Sequence, residues 1–177
     1  MLEWIKYTLE DMDKQLQRIL KSLNHLDEEQ IWQRLKSSTN SIGNLCLHLA
    51  GNEYQSIASS IGGKPFIRER SKEFTAEGGR TKKELGSLLV ETRAESTKIL
   101  SSLTGSDLGR EVRIVYRLED WNRMLKVQAD AETAFETREI GRLLIQVAAH
   151  YGYHAGQIVL LSKLHKDIPE PIAGQYH

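Results

Sequence analysis

His150 and His154, in the run His150-Tyr151-Gly152-Tyr153-His154, stand four residues apart. On a helix that spacing is about 6 Å along the axis and about 40° around it, so both imidazoles can aim at one point. Leu143, Val147, Tyr151, Ile158 and Leu161 share their face, which puts both rings where a helical core would lie. Each neutral imidazole carries a donor and an acceptor, and burying these without partners costs about 2 kcal/mol or more. A metal ion would satisfy two ring nitrogens at once, and ordinary hydrogen bonds in a polar spot of the core would also serve. Spacing leaves both readings open.

A third imidazole, His48, follows Leu45 at helical spacing in a different segment. Helical proteins build cofactor sites from side chains on facing helices. Three histidines from two helices would present a trigonal set of nitrogens with positions left for water or substrate, the pattern of a reactive metal centre. Two better-known patterns are excluded. Position 151 is Tyr, where a zincin helix needs its general-base Glu. The residues three before His48, His150 and His154 are Leu45, Val147 and Tyr151, so no Glu-x-x-His pair of a di-iron bundle is present.

Around these histidines, Asn52 and Gln157 fall at helical spacing from His48 and His154 and are candidates to hold the rings or line a pocket. Arg68 and Arg70, with Glu73, are candidates for contacting an anionic substrate, against the plainer reading of a salt-bridged loop. Cys46 is two residues from His48 and points elsewhere on the helix, so it is expected to be a buried, inert thiol. No acid or base stands out as catalytic. His25, His165 and His177 sit near element ends or the terminus and are expected to be solvated.

The elements that must position these groups are helical. Leu2, Ile5, Leu9, Met12, Leu16, Ile19, Leu20 and Leu23 form one stripe of a long first helix ending near Asn24. Asp27 and Gln30 form a capping-box start for a short helical segment through Trp32. A second long helix begins near Ser41, carries Ile42, Leu45, Cys46, Leu49, Ile57 and Ile61, and stops at Gly62-Gly63. Positions 64 to 80 lack a period and read as a long loop. Thr81 and Glu84 cap a third helix that runs to Gly105. Val112 to Tyr116 reads as a short strand or an extended crossover, and Asp120 to Ala134 as irregular or partly helical. The fourth helix is expected to start near Thr137 and to end before Pro169. Four amphipathic helices hide their apolar faces most simply as a four-helix bundle, here with a long crossover after the second helix. The expectation is therefore an all-α fold in one domain spanning residues 1–177. The small residues Ala148, Ala149, Gly152, Ala155 and Gly156 suggest close approach of another helix, within the bundle or across a dimer.

Composition narrows the partners. Lys+Arg and Asp+Glu both number 24, for a formal charge of zero, so no broad positive field would gather nucleic acid or anionic lipid. The longest apolar runs fall well short of the roughly 20 residues of a membrane helix. Cys46 is the lone cysteine, which excludes an intrachain disulfide, and no basic segment leads into an apolar run after Met1. The expected location is the cytoplasm.

The runs Ser41 to Asn52, Arg68 to Phe74 and His150 to Ile158, in that order, resemble the DinB-like (DinB/YfiT) superfamily of metalloenzymes. The resemblance implies a four-helix bundle, usually a homodimer, in which His48, His150 and His154 hold a divalent ion such as zinc or nickel. It implies a metal-dependent transferase that uses a low-molecular-weight thiol of the bacillithiol type on an electrophilic substrate. A metal-assisted hydrolase, or a non-catalytic module stapled by the metal, remain alternatives. The ion would lower the pKa of a coordinated thiol or water, so that the nucleophile is anionic near neutral pH.

Overall fold

Apolar stripes at helical spacing become the four long helices of the computed structural model, which describes residues 1–172. Helix α1 (Glu3–His25) buries Ile5, Leu9, Met12, Leu16, Ile19 and Leu23. Helix α2 (Glu28–Trp32) starts at the Asp27–Gln30 capping box. Helix α3 (Ile42–Glu53) runs into a π-helical segment, Tyr54–Ser59, and the chain turns away at Gly63, whose φ of 71° suits a residue without a Cβ. Helix α5 (Lys82–Leu100) begins at the Thr81–Glu84 box, and α7 (Ile140–His165) is the longest element. Helix α1 packs on α5 and α7, and α3 packs on the same two. Their inward faces merge into one apolar core that includes Ile19, Leu45, Leu49, Leu89, Val147 and Tyr151. No helix among the described residues is long and apolar enough to cross a membrane.

The fold is mostly helical, and the all-α expectation is corrected at one place. Strand β1 (Glu111–Val115) pairs antiparallel with β2 (Phe135–Glu139), with Val112 opposite Arg138 and Ile114 opposite Glu136. Val112 and Ile114 alternate inward onto the core. This pairing displaces the start of the fourth long helix from Thr137 to Ile140, with Glu139 as its N-cap. Helix α6 (Leu118–Leu125) lies between the strands. The expected long loop at 64–80 also contains a helix, α4 (Arg70–Thr75). Its first-turn amides, Arg70 N and Ser71 N, donate to Asp120 Oδ2 and Oδ1 at 2.9 and 3.1 Å, so a carboxylate from α6 satisfies donors that α4 cannot satisfy internally.

The small residues of α7 divide: Ala155 is buried in the core with Ala148 packed against it, whereas a Cβ added at Gly152 or Gly156 would meet nothing within 4 Å among the described residues. His25 and His165 are half-buried rather than fully solvated, and His177 lies outside the described residues.

Candidate metal centre

The site is built on α3 and α7, with α4 laid across them. Ser41 caps α3 by accepting from Asn44 N, and Asn44 Oδ1 accepts from Ser41 N. Asn44 Nδ2 then donates to the carbonyls of Glu73 and Ala76 at 2.9 and 2.7 Å. The residue that starts α3 thus also pins the C-terminal half of α4 one turn below His48.

His48, His150 and His154 come together, each offering a ring nitrogen within 4.8 Å of the others. His48 Nε2 and His150 Nε2 are 3.0 Å apart, and the three ring centroids are separated by 4.5 to 4.9 Å. Two imidazole nitrogens bound at about 2.0–2.1 Å to one tetrahedral ion sit roughly 3.4 Å apart, so this spacing is near that of a shared ligand set. His48 is buried and the other two are half-buried.

Hydrogen bonds on the far side of the rings orient their lone pairs. Glu73 Oε2 lies 3.0 Å from His48 Nδ1. Arg68 Nη2 is 2.9 Å from the same nitrogen, but it donates to Glu73 Oε2 at 2.7 Å and to the His48 carbonyl at 3.0 Å, and a guanidinium has no lone pair to offer. The assignment that satisfies these groups puts a proton on His48 Nδ1, donated to Glu73, and leaves Nε2 as a lone pair facing the cluster. On α7, Gln157 Oε1 accepts from His154 Nδ1 at 2.7 Å, which again frees Nε2. His150 Nδ1 is buried with no partner. Two imidazoles held in this tautomer by oxygen acceptors, with a third alongside, form a donor set suited to a divalent ion. The three-histidine group could therefore hold a metal ion.

Burial lowers the pKa of all three rings. His48 is lowered mainly by desolvation, against the Glu73 hydrogen bond, which raises it. His150 is pushed down to about 3 by burial and by its two neighbouring imidazoles. Burial lowers His154 as well, with Gln157 opposing and Arg70 adding to the effect. The nitrogens are therefore neutral and available near pH 7.

The remaining candidates fall into distinct roles. Gln157 holds His154. Asn52 lies half-buried on α3, one turn after His48, and makes no side-chain hydrogen bond among the described residues. Arg68 is buried: its Nε and Nη2 grip both Glu73 oxygens, at 2.6 and 2.7 Å, and its Nη1 donates to Gln55 Oε1 at 3.1 Å. Arg70 stays half-buried, 5.9 Å from the centroid of Phe74. Cys46 is buried with its thiol pushed up to about 12, as expected of an inert core sulfur.

Several positioning residues carry little signal in the sequence. Gln55 lies in the π-helical segment and ties Arg68 to the strand pair by donating to the Val115 carbonyl at 2.7 Å. Gly51 makes room for the ion pair, since a Cβ there would sit 2.2 Å from Glu73 Oε1 and 2.9 Å from Arg68 Nε. A glycine one turn after a histidine, on the side from which a charged loop returns, is the only local sign of that crowding.

The model of the family described as "Protein of unknown function (DUF1572)" matches residues 1–169. The crystal structure of a conserved protein from Enterococcus faecalis aligns with a TM-score of 0.65 at 13% identity, over 90% of this chain and 95% of that one. That likeness concerns the fold alone. A search of curated proteins returns no match.

Proposed function

Because the chain belongs to the DUF1572 family, whose description names no activity, we propose a function from the chemistry of the site: a divalent-metal-dependent enzyme of the DinB-like superfamily, built as a four-helix bundle. His48, His150 and His154 hold zinc or nickel, and the reaction is transfer of a low-molecular-weight thiol to an electrophile. The observation that carries this reading is the pair of Nδ1 contacts, His48 to Glu73 and His154 to Gln157, which leave two Nε2 lone pairs free in a cluster where His48 Nε2 already faces His150 and one nitrogen of each ring lies within 4.8 Å of the others. An ion bound there would keep a thiol deprotonated at neutral pH. The sulfur would form a bond to the electrophilic carbon as the leaving group departs with its electron pair.

Glu73 and Gln157 orient the rings, Arg68 fixes Glu73, and Phe74 covers the His48 ring at 4.7 Å. A homodimer is part of the proposal: Ile145, Tyr153, Leu160 and Leu164 are exposed on α7 next to Gly152 and Gly156, and a second copy would cover this apolar strip. The buried lone Cys46 suits a reducing, cytoplasmic setting.

Elemental analysis of untagged protein tests the premise. The expected result is one zinc or nickel per chain, lost in His154→Ala with little change in melting temperature. Metal-loaded protein should then accelerate conjugation of a small thiol to a model electrophile. Collapse of the fold in His154→Ala would favour the stapled module instead, and a metal-loaded protein inert toward every thiol but active on esters would favour the hydrolase. Sedimentation showing only a monomer would remove the dimer.

A further inference from the structure

Between α4 and α6 the fold leaves a cavity of about 570 Å³, lined by Arg70, Ser71, Phe74, Arg123, Met124 and Leu125 among others. Phe74 joins it to the histidine cluster, forming part of its wall and packing against the His48 ring at 4.7 Å. Arg70 lines the cavity with its guanidinium carbon 5.9 Å from the centroid of the same Phe74 ring.

The polar groups of this cavity are unevenly satisfied. Asp120 is its acidic lining residue, and both carboxylate oxygens already accept from the start of α4: Oδ2 from Arg70 N, Oδ1 from Ser71 N and from the Ser71 hydroxyl. Arg123 Nη1 donates to Ser71 Oγ at 3.0 Å, which leaves four of a guanidinium's five N–H groups without a partner among the described residues. The Arg70 guanidinium has no hydrogen-bond or ion-pair partner among the described residues, unlike Arg68 and Arg117, which are both paired with acids. The lining charges are Arg70 and Arg123 against Asp120, or +2 − 1 = +1. The rest of the wall is the apolar Phe74, Met124 and Leu125 together with Ser71 and Thr75, whose hydroxyls donate to Asp120 and to the Ser71 carbonyl.

We propose that this cavity is the substrate subsite beside the three-histidine cluster and that it takes a small molecule with an apolar body and a single carboxylate, bound by Arg70 with Arg123 at the rim. One carboxylate balances the net charge of the lining and matches the planar fork of a guanidinium, which can bind it through two parallel hydrogen bonds. The apolar wall takes the body of the ligand, and Phe74, the lining residue that touches the His48 ring, marks the side on which its reacting group lies. That last step, that the reacting group is a thiol, rests on the function proposed above; the carboxylate preference does not.

The test uses two probe pairs. Metal-free protein is titrated with 3-phenylpropionate and with 3-phenylpropan-1-ol, followed by calorimetry. The acid should bind about tenfold tighter than the alcohol, the equivalent of one charge-assisted hydrogen bond. Arg70→Gln should bring the acid to the level of the alcohol and leave the alcohol unchanged, and Arg123→Gln should remove part of the preference. Cobalt(II)-loaded protein is then titrated with 3-mercaptopropionate and 2-mercaptoethanol, read by thiolate-to-cobalt absorption. A carboxylate preference in the metal-free protein with no thiolate band would retain the subsite and overturn the thiol reading. Equal thiolate bands from both thiols, equal binding of acid and alcohol, or an acid affinity indifferent to both substitutions would overturn the subsite and leave the thiol reading standing.

Discussion

Two buried polar centres lie on the same pair of helices, and they end differently. Both contain a forked Arg–Glu pair: Arg68 with Glu73 at the histidines, and Arg93 with Glu53 between α5 and α3. Arg93 donates to Glu53 Oε1 and Oε2 at 2.7 and 3.0 Å and to Asp13 Oδ1 at 2.8 Å, and its guanidinium stacks 4.7 Å over the Tyr151 ring. That chain of contacts joins α1, α3, α5 and α7 and pairs the buried cation with two acids, although the Tyr151 hydroxyl is buried without a hydrogen-bond partner among the described residues. At the other centre, Glu73 passes an oxygen to His48, and the arrangement finishes in imidazole nitrogens with nothing opposite them but one another. His150 and Tyr151 are adjacent in the chain, yet each serves a different centre. A buried polar network whose charges are paired with one another holds helices together, whereas one that leaves oriented lone pairs converging is prepared for a further ligand.

Substitutions can separate the two kinds of centre. The largest effect is expected from His150→Ala: metal stoichiometry falls from about one per chain to none, while the metal-free protein melts within about 1 kcal/mol of the parent, because no buried partner depends on its Nδ1. Arg93→Met should do the reverse. It leaves the Glu53 carboxylate buried without its cation, costs about 3–5 kcal/mol in denaturant unfolding, and leaves metal content unchanged in the protein that remains folded.

Glu73→Gln is predicted to weaken metal affinity by about 10–100-fold in a competition titration, since the amide holds the His48 tautomer less firmly. Gly51→Ala should produce a smaller loss in the same direction, because its Cβ pushes the carboxylate and guanidinium off His48. Metal binding unaffected by both would mean that the Arg68–Glu73 pair is as purely structural as Arg93–Glu53.

The last effect concerns acid. His150 has a folded pKa of about 3 against an ordinary value of 6.5, so the unfolded chain takes up the proton first. Its contribution to the stability of the metal-free protein is complete above pH 6.5 and declines as the pH falls from there toward 3. Thermal melts across that range should show the decline, and His150→Ala should flatten it.

The histidines were legible because their information is local: a four-residue interval and an apolar face identify His150 and His154 without reference to the rest of the chain. The capping boxes at Asp27 and Thr81, and the stripe of α1, were readable for the same reason. The strand pair was legible only by half: Val112 to Tyr116 reads as a short strand or extended crossover and β1 is there, whereas β2 is extended only because β1 lies 20 or more residues earlier and offers a ladder. Helix α4 was missed because its first amides are satisfied by Asp120, about 50 residues away along the chain.

Residue types and periods therefore settle which side chains can coordinate and which faces must be buried, since those depend on a few neighbouring positions. Which oxygen fixes each ring, which arginine is consumed in an ion pair and which is left at the cavity are matters of distance between remote segments. Arg68 and Arg70 illustrate the point: two residues apart in one charged run, one is locked behind His48 by Glu73 and Gln55, and the other stands unpaired over Phe74. Charge and hydrophilicity are alike at both positions, and only packing in three dimensions gives them different work.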